Sequence, residues 1–127
     1  MLKTIMLGLS VAAIATSAAF AQGGIKRTPL QRIEYPDGYV TVTGLVEIAP
    51  GGASGRHSHP GIETGYVLEG ELELVVDGQP VQHVMPGQSY QIPAGAVHDA
   101  RAEGDKSMKV LGIFVVDKSK PFASPAP

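Results

Sequence analysis

Three of the chain's four histidines and one glutamate stand at spacings that can bring imidazole and carboxylate donors to a single point. His57 and His59 follow Gly51 after five intervening residues, Glu63 follows His59 after three, and Gly70 follows Glu63 after six. A second block runs from Gly87 through Pro93 and Gly95 to His98. Residues two apart on a strand point to the same face, so His57 and His59 reach one ion if that face is an interior. Pro60-Gly61 breaks the ladder behind them, because proline removes a donor and glycine tolerates unusual dihedrals. The kink turns Glu63 inward, and the bend at Pro93-Ala94-Gly95 delivers His98 from another strand. Imidazoles with one carboxylate suit a first-row divalent metal, and a chain without cysteine offers no soft thiolate site.

Each of these residues has a plainer reading. His83, in Val81-Gln82-His83-Val84, lies outside both blocks and is assigned a surface or hydrogen-bonded role. Glu69, Glu71 and Glu73 read as exposed charges, and only its register with the histidines separates Glu63 from them. Tyr66, Tyr90 and Asp99 are the candidate general acids or bases beyond the ligands, against ordinary core or surface roles.

The elements that must hold these side chains are strands. Apolar residues recur with period two over residues 41–48 and 71–76, and Asp77-Gly78 predicts a hairpin from the second of these to residues 81–84. Further short runs cover residues 89–92, 97–102 and 107–116. No helical stripe of useful length is present, and the 16 glycines and 10 prolines are spread through the chain, which suits many short strands in an all-β sandwich or barrel. In the last run both parities are apolar: Leu111, Ile113 and Val115 on one face, Val110, Phe114 and Val116 on the other. Such a strand needs cover on both faces, which predicts that another segment or a partner copy packs there, a homodimer being favoured.

With 127 residues the chain is one domain preceded by a leader. Lys3, the apolar residues 5–14 and Ala19-Phe20-Ala21 have the order of a secretory signal peptide over residues 1–21, with cleavage between Ala21 and Gln22. The apolar run is too short to span a membrane, and export to the periplasm or exterior is expected. The barrel domain is placed at residues 22–118. Residues 119–127, with Pro121, Pro125 and Pro127, are expected to be a loose proline-rich tail. The balance of 10 Lys+Arg against 12 Asp+Glu, without a basic run, excludes nucleic acid as a partner.

The two blocks resemble the two motifs of the cupin superfamily. The first motif is matched at Gly51, His57, His59, Glu63 and Gly70, and the second at Gly87, Pro93, Gly95 and His98. The asparagine that usually closes the second motif is Ala102 in this chain, a position that is generally not a ligand. The resemblance implies a double-stranded β-helix, or jelly roll, with one divalent metal on His57, His59, Glu63 and His98, and a small molecule as substrate or ligand.

Enzymes similar to this group include dioxygenases, isomerases and decarboxylases. The competing reading is a non-catalytic module that binds metal or a small ligand, and a third is a degenerate barrel with vestigial ligands. No tryptophan and three phenylalanines, one of them Phe20 in the leader, leave few rings to cradle a flat substrate, which tilts toward the non-catalytic reading. A protein that folds after export takes its metal from the periplasm, where intrinsic affinity favours Zn or Cu over Mn or Fe, with Ni a further alternative.

Overall fold

All the period-two segments form strands. The computed structural model describes residues 24–127, so the signal peptide and its Ala21–Gln22 junction lie outside the described residues. The strands are β1 (Ile25–Ile33), β2 (Tyr39–Ile48), β3 (His57–Ser58), β4 (Gly61–Glu69), β5 (Glu71–Val76), β6 (Gln82–Val84), β7 (Ser89–Ile92), β8 (His98–Glu103), β9 (Met108–Asp117) and β10 (Ser124–Pro125), with no helix among the described residues. They build two five-stranded sheets, β1-β2-β9-β4-β7 and β10-β3-β8-β5-β6, in which every pairing is antiparallel. The hairpin expected at Asp77-Gly78 is present, with Leu72 opposite Val84 and Leu74 opposite Gln82.

The inward faces of the two sheets meet in one core. Ile48, Val67, Met108 and Val110 from the first sheet pack with Leu72, Leu74 and Val76 from the second, all essentially buried. Burying side chains of this size stabilises the fold by about 1.5–3 kcal/mol each. This is the double-stranded β-helix, or jelly roll, that the motif resemblance implied, and it agrees with the sandwich or barrel read from the strand pattern. A smaller, separate cluster is formed by Val40, Phe114 and Val116, with Val42 packed against it.

Beside these clusters the first sheet has a bare stretch. Gly44 on β2, Gly112 on β9 and Gly65 on β4 are directly paired across three strands, and Gly65 is paired in turn with Tyr90 on β7. All three glycines share the inward parity of Val40, Phe114 and Glu63. A Cβ on Gly65 would fall inside the Tyr90 ring, so that ring lies against naked backbone. One on Gly112 would come within 2.9 Å of the Phe114 ring.

The outer face of the same sheet is apolar across three strands, with Leu45, Leu111 and Tyr66 in one row and Thr41, Val115 and Ile62 in another. The second sheet covers only the inner face of β9, and Ile62, Tyr66 and Ile113 remain 48%, 46% and 39% exposed on the outer one.

Three details depart from the sequence expectations. β1 was not anticipated: as an edge strand it buries only Ile25 and is held by its ladder to β2, so IKRTPLQRI shows no apolar alternation. Gly61 has no left-handed backbone; its lack of a side chain is required because a Cβ there would overlap Val115 O and Val116 Cα on β9. Residues 119–127 are not loose. Ser124–Pro125 adds β10 to the edge of β3, the Ala126 N–H donates to Arg56 O at 3.0 Å, and Arg56 Nε donates to Pro127 O at 2.7 Å. An edge position needs hydrogen bonds on one side only, so proline is tolerated there.

Candidate metal centre

Both sheets contribute to the cluster. His57 on β3 is paired directly with His98 on β8, His59 lies one residue past the end of β3, and Glu63 points inward from β4 of the opposite sheet. His98 is brought into register by a turn in which the Ala96 N–H donates to Pro93 O at 3.1 Å and Gly95 takes a φ of 75°, a left-handed conformation that glycine adopts without strain. The Gly95 N–H also donates to His59 O at 2.9 Å, tying the two motifs together. The four residues expected from spacing are thus brought to one place, with one donor atom of each within 4.8 Å of all the others.

Hydrogen bonds to main-chain carbonyls fix which ring nitrogen faces inward. His57 Nδ1 donates to Gly55 O at 2.7 Å, His59 Nδ1 to Phe122 O at 2.7 Å, and His98 Nδ1 to Ala96 O at 2.9 Å. A carbonyl only accepts, so each Nδ1 carries a proton and Nε2 is the nitrogen that faces inward, with a lone pair whenever the ring is neutral. The Nε2 atoms of His57 and His59 are 3.2 Å apart, and Glu63 Oε2 is 3.3 Å from His59 Nε2 and 3.2 Å from His98 Nε2. The last contact lacks hydrogen-bond alignment, so the buried His98 Nε2 has no partner. Four acceptors crowded in this way repel unless a positive charge, a metal ion or a proton, sits among them. Neighbouring donors around an ion with bonds of about 2.0–2.2 Å are separated by roughly 3.0–3.5 Å, so the side chains fit a divalent first-row ion.

Burial alone would push the Glu63 carboxyl up, but hydrogen bonds from His59 and His98, donated from Nε2 when a proton takes the place of a metal there, and one from Tyr90 outweigh it and hold the group at about 2. That bond runs from the Tyr90 hydroxyl to Oε1 at 2.8 Å and leaves Oε2 facing the histidines. Burial and the Glu63 charge push the Tyr90 phenol well above its ordinary value, so it stays a donor. Burial lowers His57, whereas for His98 Glu63 and the Ala96 carbonyl outweigh burial and raise it.

Of the three candidate acids or bases, only Tyr90 is at the cluster. Tyr66 is on the exposed outer face, and the buried Asp99 is occupied by Ser54 Oγ at 3.2 Å and Arg101 Nε at 3.0 Å. His83 is exposed and 2.7 Å from Glu103 Oε2, as its position outside the motifs suggested. Ala102, at the place of the family's asparagine, is buried in the core, and its N–H donates to Gly52 O at 3.1 Å.

A cavity of about 320 Å³ opens beside the cluster, lined by His57, His59, Glu63 and His98 and mainly by apolar side chains. Both phenylalanines of the described residues are there. The rings of Phe114 and Phe122 are 5.0 Å apart, and each packs edge-on to His59, at 5.1 and 5.0 Å. The low aromatic content is therefore concentrated at the site, which removes the argument that the chain lacks rings for a flat ligand. Arg27 is the single Lys or Arg in the lining, and none of the ion pairs among the described residues includes it.

Fold and cluster together define a jelly-roll protein with a three-histidine, one-glutamate centre. The cupin domain profile matches residues 44–115, and the chain belongs to the cupin family. Over 60 residues it is 37% identical to quercetin 2,3-dioxygenase of Bacillus subtilis (strain 168), covering 47% of this chain and 17% of that one. Over 50 residues it is 48% identical to the HTH-type transcriptional regulator PuuR of Escherichia coli (strain K12), covering 39% of this chain and 26% of that one. It therefore spans only a minor part of the length of either. A solved oxalate oxidase superposes with a TM-score of 0.68 at 26% identity, over 84% of this chain and 57% of that one.

Proposed function

We propose that the chain is an exported cupin in which His57, His59, Glu63 and His98 hold one divalent transition metal, and that the centre serves a small metal-dependent enzyme, dioxygenase-like or isomerase-like. The observation that carries this reading is the convergence of three inward-facing Nε2 atoms and Glu63 Oε2 on one point beside an apolar cavity. A bound ion would supply Lewis acidity, and copper also an accessible second oxidation state. The residues themselves do the rest. Tyr90 holds Glu63 with one oxygen turned to the cluster, Phe114 and Phe122 keep water from one side, and Arg27, in no ion pair among the described residues, offers its cation to an anionic end of the substrate. The favoured substrate is a small molecule with an apolar or flat body and one acidic group. The likenesses to a dioxygenase and an oxalate oxidase support the enzymatic reading.

The alternative is a non-catalytic ligand-binding module, which the likeness to a transcriptional regulator favours. Elemental analysis of protein isolated from its native compartment, followed by turnover of a panel of small carboxylic acids with oxygen uptake recorded, separates the two. Zn or Cu is expected, with Mn, Fe or Ni as the alternatives, and binding without metal-dependent turnover would favour the module. We also assign the exposed outer face of β2, β9 and β4 to a homodimer contact, and the mature start to Gln22, which mass spectrometry of secreted material tests.

A further inference from the structure

The second partners of the three histidines are not equivalent. Gly55 and Ala96 are each two residues from the imidazole they orient, so those bonds form within one turn of chain. His59 is oriented by Phe122, 63 positions away. The segment that brings Phe122 there is thin. Residues 122–127 lie on the surface, with none of them fully buried and Phe122 39% exposed, and are joined to the body by the two-residue β10, by the Ala126 N–H bond to Arg56 O and by the Arg56 bond to Pro127 O. Arg56 is in turn fixed by a two-pronged pair with Asp77 at 2.7 and 2.8 Å. Phe122 and Ala123 also line the cavity, and the Phe122 ring closes against His59 and Phe114.

We infer that residues 122–127 are a strap belonging to the metal centre: the Phe122 carbonyl positions His59, and the Phe122 ring walls the cavity. Without the strap, the His59 ring loses the bond that selects its tautomer and rotation, while His57 and His98 keep theirs. Docking of the strap then sets both metal retention and access to the cavity. The inference rests on the metal assignment above, but its first consequence, the state of the His59 ring, is present in metal-free protein. Loss of a partner that orients a ligating histidine lowers metal affinity by about 10–100-fold.

The test compares the full chain, a variant lacking residues 122–127, and F122A, which keeps the carbonyl and loses the ring. In metal-free protein, long-range proton–nitrogen spectra of the imidazoles should show the Nδ1-protonated tautomer for His57, His59 and His98 in the full chain and in F122A. In the deletion variant the His59 pattern alone should become mixed. Cobalt(II), titrated as a visible-absorbing probe, should bind the full chain tightly and F122A within about threefold, and the deletion variant about 10–100-fold more weakly. Should the deletion fail to fold, R56Q frees the far end of the strap without removing any cavity residue, and the same His59-specific change is expected. An unchanged His59 tautomer in a folded deletion or R56Q variant overturns the strap while leaving the metal assignment intact. Absence of cobalt binding by the full chain overturns the metal assignment and the affinity claim with it.

Discussion

Replacing Tyr90 with Phe removes one oxygen atom and leaves the ring on Gly65, so it isolates the hydrogen bond to Glu63. The hydroxyl donates to Oε1 at 2.8 Å in a buried setting. Bonds to charged groups contribute about 1.5–3 kcal/mol. Among the groups that depress Glu63, Tyr90 ranks behind His59 and His98, which places the expected loss at the lower end, about 1.5 kcal/mol. The pH dependence has a definite sign. Glu63 is held at about 2 in the folded protein against an ordinary 4.5, so its stabilisation is present above the unfolded value and is lost as pH falls through the folded one. Y90F raises the folded value, and its stability should begin to fall at a higher pH than that of the parent. The assay is urea unfolding of chelator-treated protein at about pH 7 and about pH 3, with the difference of about 1.5 kcal/mol at the higher pH narrowing at the lower. A cost below about 0.5 kcal/mol at neutral pH, the range of ordinary surface changes, would refute the reasoning, as would an equal cost at both.

Alanine at His57, His59 or His98 should lower metal occupancy at least about tenfold, since water replaces a directed imidazole bond poorly, whereas H83A should leave it unchanged; elemental analysis decides. G65A puts a methyl where the Tyr90 ring lies and should cost about 1–3 kcal/mol in chemical unfolding while breaking the bond to Glu63. The Glu103 hydrogen bond raises His83 above its ordinary 6.5, so its imidazole should titrate above that value by NMR, and its pairing should stabilise the protein below the ordinary value and lose that contribution as pH rises through the folded one. Light scattering at micromolar concentration should report a dimer, and I113K, on the exposed outer face of β9, should convert it to monomer; a monomeric parent would sink the interface.

Much of the site was legible because its information lies in residue types at short spacings. His57, His59 and Glu63 fall within one stretch, and Gly95 marks the turn that brings in His98. The strands that bury one face were equally legible from their alternation. What escaped is long-range or carried by the main chain. The Phe122 carbonyl has no side-chain signature, and nothing in residues 119–127 announces that their backbone reaches His59. The glycine row depends on pairing three strands in register, which none of Gly44, Gly65 and Gly112 announces on its own. Tyr90 could not be ranked above Tyr66, because the outcome turned on which face of its strand closes over Glu63.

The three carbonyl partners also determine how this centre responds to mutation. No side-chain replacement at Gly55, Ala96 or Phe122 deletes the oxygen that orients an imidazole. An alanine scan would therefore remove only one of the four groups that aim the ligands, the Tyr90 hydroxyl. Sensitive positions should instead be those that set the path of the backbone: Gly55 with its φ of 79°, the turn from Pro93 to Ala96, and Arg56 beneath the strap. In such a site, damaging substitutions extend beyond the ligands themselves to places where the chain bends.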